Sequence, residues 1–229
     1  MTGASRGIGR AIAVALAEAG ARVFMLARGP QDLMAAAQAI GPRATPMRCD
    51  VSQPNDVERV AVEIGAALHG NTPDIIINNA GLFPLGALDS MTVEDFAQTI
   101  NVNLVAPFRV LRSFLPAMRT RGGGHVITLG SVADRSIFPR NGAYSASKYG
   151  QRAMQEVLRA ELRGTGVRST LISPAATDTP IWDAIDPDNT PGFPTRASML
   201  RADDVSDAVL WALTRPNHVN IDELRLSSS

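Results

Sequence analysis

Hydrophobic positions along the chain alternate between two patterns. Short apolar runs rich in Val, Ile and Leu occur at Ala21–Arg28, Asp74–Gly81, His125–Ser131 and Val167–Pro174, with a weaker run at Arg43–Val51 and another in "NIDELRLS" near the C-terminus. Runs of this length, bounded by Gly, Pro and Asn, predict buried strands. Between them, apolar residues recur at helical spacing over Ile8–Ala19, Pro30–Gly41, Pro54–Leu68, Val93–Arg119, Ala146–Arg163 and Asp203–Leu213. Pro30 suits a first helical position, and Gly20 and Gly41 suit helix stops. Strands that are apolar on both faces, alternating with helices, predict an α/β doubly wound parallel sheet in three layers. No internal repeat and no linker breaks the alternation, so residues 1–229 are expected to form a single domain. The stretch Pro180–Pro194 holds Pro180, Pro187, Pro191 and Pro194 and has no period. It is too long for a simple connection, and residues 180–200 are expected to form a lid over a ligand.

Composition narrows the partners. Lys plus Arg and Asp plus Glu each number 22, so the formal net charge is zero. That balance gives no general attraction to nucleic acid or to an anionic membrane. The one cysteine, Cys49, excludes an intrachain disulfide and a Cys-cluster zinc site. The apolar stretch Ile12–Ala21 is interrupted by Glu18 and is too short to span a bilayer. The expectation is a cytoplasmic protein with no membrane partner and no signal peptide.

The first chemical motif is "TGASRGIG" at Thr2–Gly9. Gly3, Gly7 and Gly9 permit a sharp turn and a close backbone approach to a pyrophosphate, and the following helix offers free N–H groups and a positive dipole end. The triplet alone serves equally well as a flexible turn. About 20 residues further on, a dinucleotide fold places an acid for an NAD ribose or a base for the NADP 2′-phosphate. Here Ala27 and Arg28 end the strand, and Arg6 adds a second cation inside the turn. A guanidinium pairs with a phosphate where a carboxylate would repel it, so NADP(H) is favoured over NAD(H).

The second motif is "YSASK", which puts Tyr144 and Lys148 at i,i+4 spacing on one helix face. A phenol is a poor acid–base group at neutral pH, and a nearby ammonium is expected to lower its pKa. Such a pair can give a proton to a carbonyl oxygen or take one from an alcohol. Alone, it reads as an ordinary surface pair. Ser131, at the carboxyl end of the strand before Tyr144, adds a hydroxyl that can hold the same oxygen. There is no Gly-x-Ser-x-Gly elbow, and the histidines His69, His125 and His218 are scattered, each expected at the surface or a strand end. No spacing fits a metal site.

With these motifs in order, the chain resembles the short-chain dehydrogenase/reductase family, in its single-domain, Rossmann-type, 3-oxoacyl-reductase-like branch. The resemblance implies a cofactor turn at Thr2, Gly3, Ser5, Gly7, Ile8 and Gly9, and adenine contacts from Asp50 and Val51. It implies that Asn78, Asn79, Ala80 and Gly81 ("NNAG") lie along the cofactor, and that Pro174 and Thr179 hold the nicotinamide end. Asn78 and Asn79 read on their own as turn residues after a strand, and Asp50 as a cap. Ser131, Tyr144 and Lys148 match the catalytic serine, tyrosine and lysine. Asn103 in "NVNL", rather than Asn101, matches the asparagine whose backbone positions a water in a proton relay. Ala175 departs from the family's usual glycine. A homodimer or homotetramer is implied, with interfaces on Val93–Arg119 and Ala146–Arg163.

The activity expected is interconversion of a carbonyl and a secondary alcohol by hydride transfer. The alternatives are an NAD-dependent alcohol dehydrogenase and a non-catalytic nucleotide sensor on the same fold. Phe83, Leu85, Ile137, Phe138, Trp182 and Phe193 suggest a partly apolar pocket, and Arg135 and Arg140 are expected to be solvated. One feature is unusual: only Met1 stands before the glycine turn, where a buried strand is expected. The expectation is that about six to ten upstream residues belong to that strand. Otherwise the sheet should show a central gap, a substitute segment or a loose turn.

Overall fold

The computed structural model describes residues 1–229. The chain runs α1 (Gly7–Glu18), β1 (Val23–Ala27), α2 (Pro30–Ile40), β2 (Ala44–Arg48), α3 (Pro54–Ala67) and β3 (Ile75–Asn78). It continues with α4 (Val93–Ile100), α5 (Ala106–Arg121), β4 (Gly124–Leu129), α6 (Gly142–Glu161) and β5 (Val167–Pro174). Two short strands, β6 (Thr177–Asp178) and β7 (Leu200–Arg201), precede α7 (Ala202–Leu213) and β8 (Glu223–Leu226). The fold is α/β with parallel pairing throughout.

β6 pairs with β7, and the other strands form a β1–β2 pair and a four-stranded sheet ordered β3–β4–β5–β8. Met1 and Thr2 stand between them. Leu26 N donates to Met1 O at 2.9 Å, Thr2 N donates to Ile77 O at 3.0 Å, and Ala4 N donates to Leu26 O at 3.2 Å. Beyond this contact β1 and β3 belong to separate sheets. The glycine turn, by contrast, is tightly fixed, as described below.

Side chains bridge what backbone pairing leaves open. Along each strand, successive residues point to opposite faces, and here both faces are apolar. Phe24, Leu26, Ile76 and Val126 join a core under α3, α5 and α6. Met25, Ile77, Ile127 and Ile172 join the other core, under α1, α2 and α7. Each core draws on both sheets, so helix packing holds the two halves in one layer.

Some boundaries differ from expectation. The helix expected from Ala146 begins at Gly142, so Tyr144 lies within its first turn. The long helix expected over Val93–Arg119 runs to Arg121 and contains a π turn at Asn101–Val105, where Ala106 N reaches back to Asn101 O. Pro107 explains part of this irregularity: it has no N–H to donate to the Asn103 carbonyl four residues earlier. No helix is long and apolar enough to cross a membrane.

His125 is the second residue of β4, one of the two placements expected for it, and it is buried. Its Nε2 sits 2.8 Å from Thr170 Oγ1. Burial, with Arg168 nearby, lowers its pKa from 6.5 to about 3. Unfolded His125 takes up a proton below about pH 6.5, whereas the folded residue does so only near 3, so this contribution to stability is complete above 6.5 and is lost as pH falls. In urea unfolding, the wild type should lose about 2 kcal/mol more than His125→Gln between pH 7 and pH 5. Equal losses would contradict the assignment.

Candidate active site

The glycine turn opens a cleft along the carboxyl ends of the strands, with a volume of about 1240 Å³. Gly3 and Gly7 have φ of 65° and 54°, a backbone region that side-chain-bearing residues avoid. At Gly9 the constraint is packing, because a Cβ would lie 2.0 Å from the Gly3 carbonyl oxygen. Asn79 pins the turn from β3: its Nδ2 donates to Thr2 O at 3.1 Å and Gly3 O at 3.0 Å. The Thr2 hydroxyl in return accepts from the N–H groups of Asn79 (3.0 Å) and Ala80 (3.1 Å).

Apart from Thr2 and Asn78, the residues expected along the cofactor line this cleft. Ser5, Ile8 and the glycines form its floor at the α1 terminus. Arg6 and Arg28 lie at the same end, both exposed. Asp50 and Val51 follow β2, and the Asp50 carboxylate accepts from Ser52 N at 3.0 Å and Ser52 Oγ at 2.7 Å. Ala80 and Gly81 extend from β3, and Pro174 ends β5. Thr179 packs against the turn, within 3.2 Å of where a Gly7 Cβ would stand. The glycine turn at the start of α1 and the two guanidinium groups at the same end of the cleft fit a phosphorylated dinucleotide. Asn78 faces away from this cleft and is buried, its amide without a partner.

At the other end, Ser131, Tyr144 and Lys148 converge on the cleft. Ser131 caps a short turn at Val132–Asp134, its Oγ accepting from Ala133 N at 3.2 Å. Lys148 is buried, with Nζ 5.6 Å from the centre of the Tyr144 ring. It donates to Leu129 O at 2.7 Å and to Gln151 Oε1 at 3.0 Å. Lys148 is also the only lysine in the chain; all other side-chain cations are arginines or histidines.

Asn103 lies behind the cleft, fully buried in the π turn. Its amide braces the β3–α4 connection: Oδ1 accepts from Leu82 N at 2.8 Å, and Nδ2 donates to Leu82 O at 2.9 Å and Ser147 Oγ at 3.0 Å. Its carbonyl, expected to position a water, accepts from Gln151 Nε2 at 3.2 Å. Asn101 instead contacts Ser52 and Arg109.

The electrostatics correct one expectation. The Tyr144 pKa is raised, because burial disfavours the phenolate; the Ser131 hydroxyl offsets part of this and Asp134 adds to it. In the free enzyme the lysine therefore does not bring the phenol down. Burial lowers Lys148 itself to about 8, with Asp134 acting in the opposite direction. Asp134 was not singled out in the sequence. It is fully buried, and Ser173 Oγ donates to its Oδ2 at 2.5 Å. Asp32, on α2 beside the Arg28 end of the cleft, was also missed.

The mouth near Tyr144 is aromatic. Phe83 meets the Tyr144 ring edge-on at 4.7 Å and Trp182 at 5.2 Å, and Trp182 meets Phe193 at 6.0 Å. Leu85, Phe138 and Arg140 complete the wall. Ile137, expected in this pocket, is exposed and outside it. Arg135, expected to be solvated, is paired with Glu223, with a second contact of 2.6 Å.

Fold and cleft together define a nucleotide-binding oxidoreductase. The short chain dehydrogenase family profile matches residues 1–190, and the chain belongs to that family. An uncharacterized oxidoreductase from Staphylococcus epidermidis is 34% identical over 226 residues, covering 99% of this chain and 94% of that protein. A metagenomic short-chain oxidoreductase solved in complex with NADP is 33% identical, with a TM-score of 0.85 over 100% of this chain and 95% of its own. The closed form of serine dehydrogenase complexed with NADP+ is 30% identical, with a TM-score of 0.90 over 99% and 92%.

Gly9→Ala tests the turn directly. Its methyl group must displace the Gly3 carbonyl, so affinity for a reduced nicotinamide dinucleotide, read by fluorescence titration, should fall at least ~10-fold, about 1.4 kcal/mol. Wild-type affinity in a folded variant would show that the turn does not contact the cofactor.

Proposed function

We propose that the protein is an NADP(H)-dependent reductase that interconverts a carbonyl and a secondary alcohol, with Tyr144 as the acid–base group. The observation that carries this is one continuous cleft, with two arginines and a glycine turn at one end and Ser131, Tyr144 and Lys148 at the other. A nicotinamide bound there supplies hydride to the carbonyl carbon.

The chain's own groups handle the oxygen and the proton. The Ser131 hydroxyl holds the substrate oxygen. Tyr144, kept neutral by burial, donates its proton to that oxygen as negative charge develops there. The Lys148 ammonium stabilises the phenolate that remains, and its third N–H is free for a cofactor hydroxyl. Asn103 acts behind Lys148, through contacts that do not reach the cleft. Arg28 and Arg6 favour the 2′-phosphate of NADP(H). Asp32, at the same end, is the feature that speaks for NAD(H).

The aromatic wall favours a substrate with an apolar group beside the carbonyl. Residues 180–200 act as a lid over it, within the single domain. Arg196 ties the lid's two ends, donating to Asp178 Oδ1 at 2.6 Å and Asp183 Oδ1 at 2.8 Å. Exposed apolar side chains on α4, α5 and α6 (Val93, Phe96, Phe108, Tyr149 and Val157) support assembly as a homodimer or homotetramer through those helices.

The test follows NADPH oxidation with a panel of apolar ketones and aldehydes. Tyr144→Phe should lower kcat at least ~100-fold while retaining NADPH binding. Equal rates for wild type and variant would defeat the assignment. For reduction, kcat/KM should be level at neutral pH and fall as pH rises through about 8, where Lys148 loses its charge. Arg28→Asp should shift cofactor preference towards NADH, measured as the ratio of the two kcat/KM values; an unchanged ratio would remove Arg28 from phosphate recognition.

A further inference from the structure

Gln151 is a buried amide that the reaction as described does not use. It lies one helical turn after Lys148 on α6 and is 1% exposed. Its Oε1 accepts from Lys148 Nζ at 3.0 Å, and its Nε2 donates to Asn103 O at 3.2 Å. The partners determine the orientation of the amide. An ammonium only donates and a carbonyl only accepts, so the oxygen must face the lysine and the nitrogen must face Asn103. Both ends of the bridge have local causes. Pro107 leaves the Asn103 carbonyl without its α-helical donor, and the Asn103 side chain is fully engaged elsewhere.

From this geometry we propose that Gln151 is a positioning residue: it clamps the Lys148 side chain to the π turn, so that Asn103 acts on the ammonium through a fixed amide. The proposal rests on the acid–base reading of Tyr144 and Lys148. A charge-bearing amine in a desolvated site needs acceptors, and the chain gives Lys148 two, the Leu129 carbonyl and Gln151. The titratable groups facing it are Tyr144 on its own helix and Asp134 on the turn after β4; the π turn contributes only the neutral Asn103. Gln151 therefore supports the charged form of the lysine from the side opposite the cleft. The sequence carried a signal for it: Tyr144, Lys148, Gln151 and Gln155 continue one helix face at i, i+4, i+7 and i+11, with polar residues where a core-facing helix is normally apolar.

The single lysine allows a test that does not depend on turnover. Protein labelled with ¹³C at the lysine ε-carbon gives one lysine side-chain signal, whose shift against pH reports Lys148 alone. Near-isosteric Gln151→Leu removes the acceptor and should move the titration below the wild-type midpoint near 8; Gln151→Glu adds a carboxylate and should move it above. Shifts of opposite sign, about one unit each, with melting temperatures that show both variants folded, support the clamp. Titrations that superimpose on the wild type, or move in the same direction, overturn it. In steady-state ketone reduction Gln151→Leu should lower kcat about 10-fold with little change in KM, since it touches no substrate. Loss of the parent reading would appear separately, as full activity in Tyr144→Phe.

Discussion

The joint between Thr2 and Asn79 is the constraint on which the rest of the molecule depends. The Thr2 hydroxyl takes two backbone N–H groups from the end of β3, and the Asn79 amide returns to the carbonyls of Thr2 and Gly3. Met1 and Thr2 also carry the backbone contacts that connect β1 to β3. One cluster of hydrogen bonds thus sets the spacing of two sheets, the curvature of the glycine turn and the start of α1. The two apolar cores keep the sheets in one layer, but only this polar joint gives the turn its position relative to β3.

The second organising feature is the buried polar face of α6. Desolvation raises the tendency of Tyr144 to keep its proton and of Lys148 to lose one, and both effects weaken the pair as ions. At Lys148 the fold opposes this with directed acceptors and with Asp134; at Tyr144 Asp134 reinforces the shift and the Ser131 hydroxyl opposes it. Further along the helix, Thr128 donates to Gln155 Oε1 at 2.9 Å, so β4 is tied to the same face. A helix dressed this way is costly if any partner is missing, which makes its placement against β4 and the π turn highly specific.

Much of this was legible in the sequence. Val167–Pro174 forms a strand over the residues its apolar pattern marks, because both of its faces are buried. The glycine spacing located the turn, since φ and close packing leave little alternative to glycine there. The π turn was not legible: Asn101–Val105 keeps helical periodicity, and only Pro107 hints at the break. Gln151 and Asp134 were passed over because polar residues ordinarily mark a solvated face, and burial is a tertiary property. The expected lowering of the Tyr144 pKa failed for the same reason: spacing gives the neighbour but not the desolvation.

The scarcity of lysine has a practical meaning. Evenly spread surface amines are the handles that acylating reagents, aldehydes and amine cross-linkers use on most proteins. Here the cationic surface is guanidinium, which those reagents leave largely alone, and the one ε-amine stands inside the cleft. With its proton held less tightly than on an ordinary lysine, that amine is also the better nucleophile. Chemistry directed at lysine on this protein is therefore directed at its cleft, and a bound ligand that covers Lys148 becomes a shield whose presence can be read by mass.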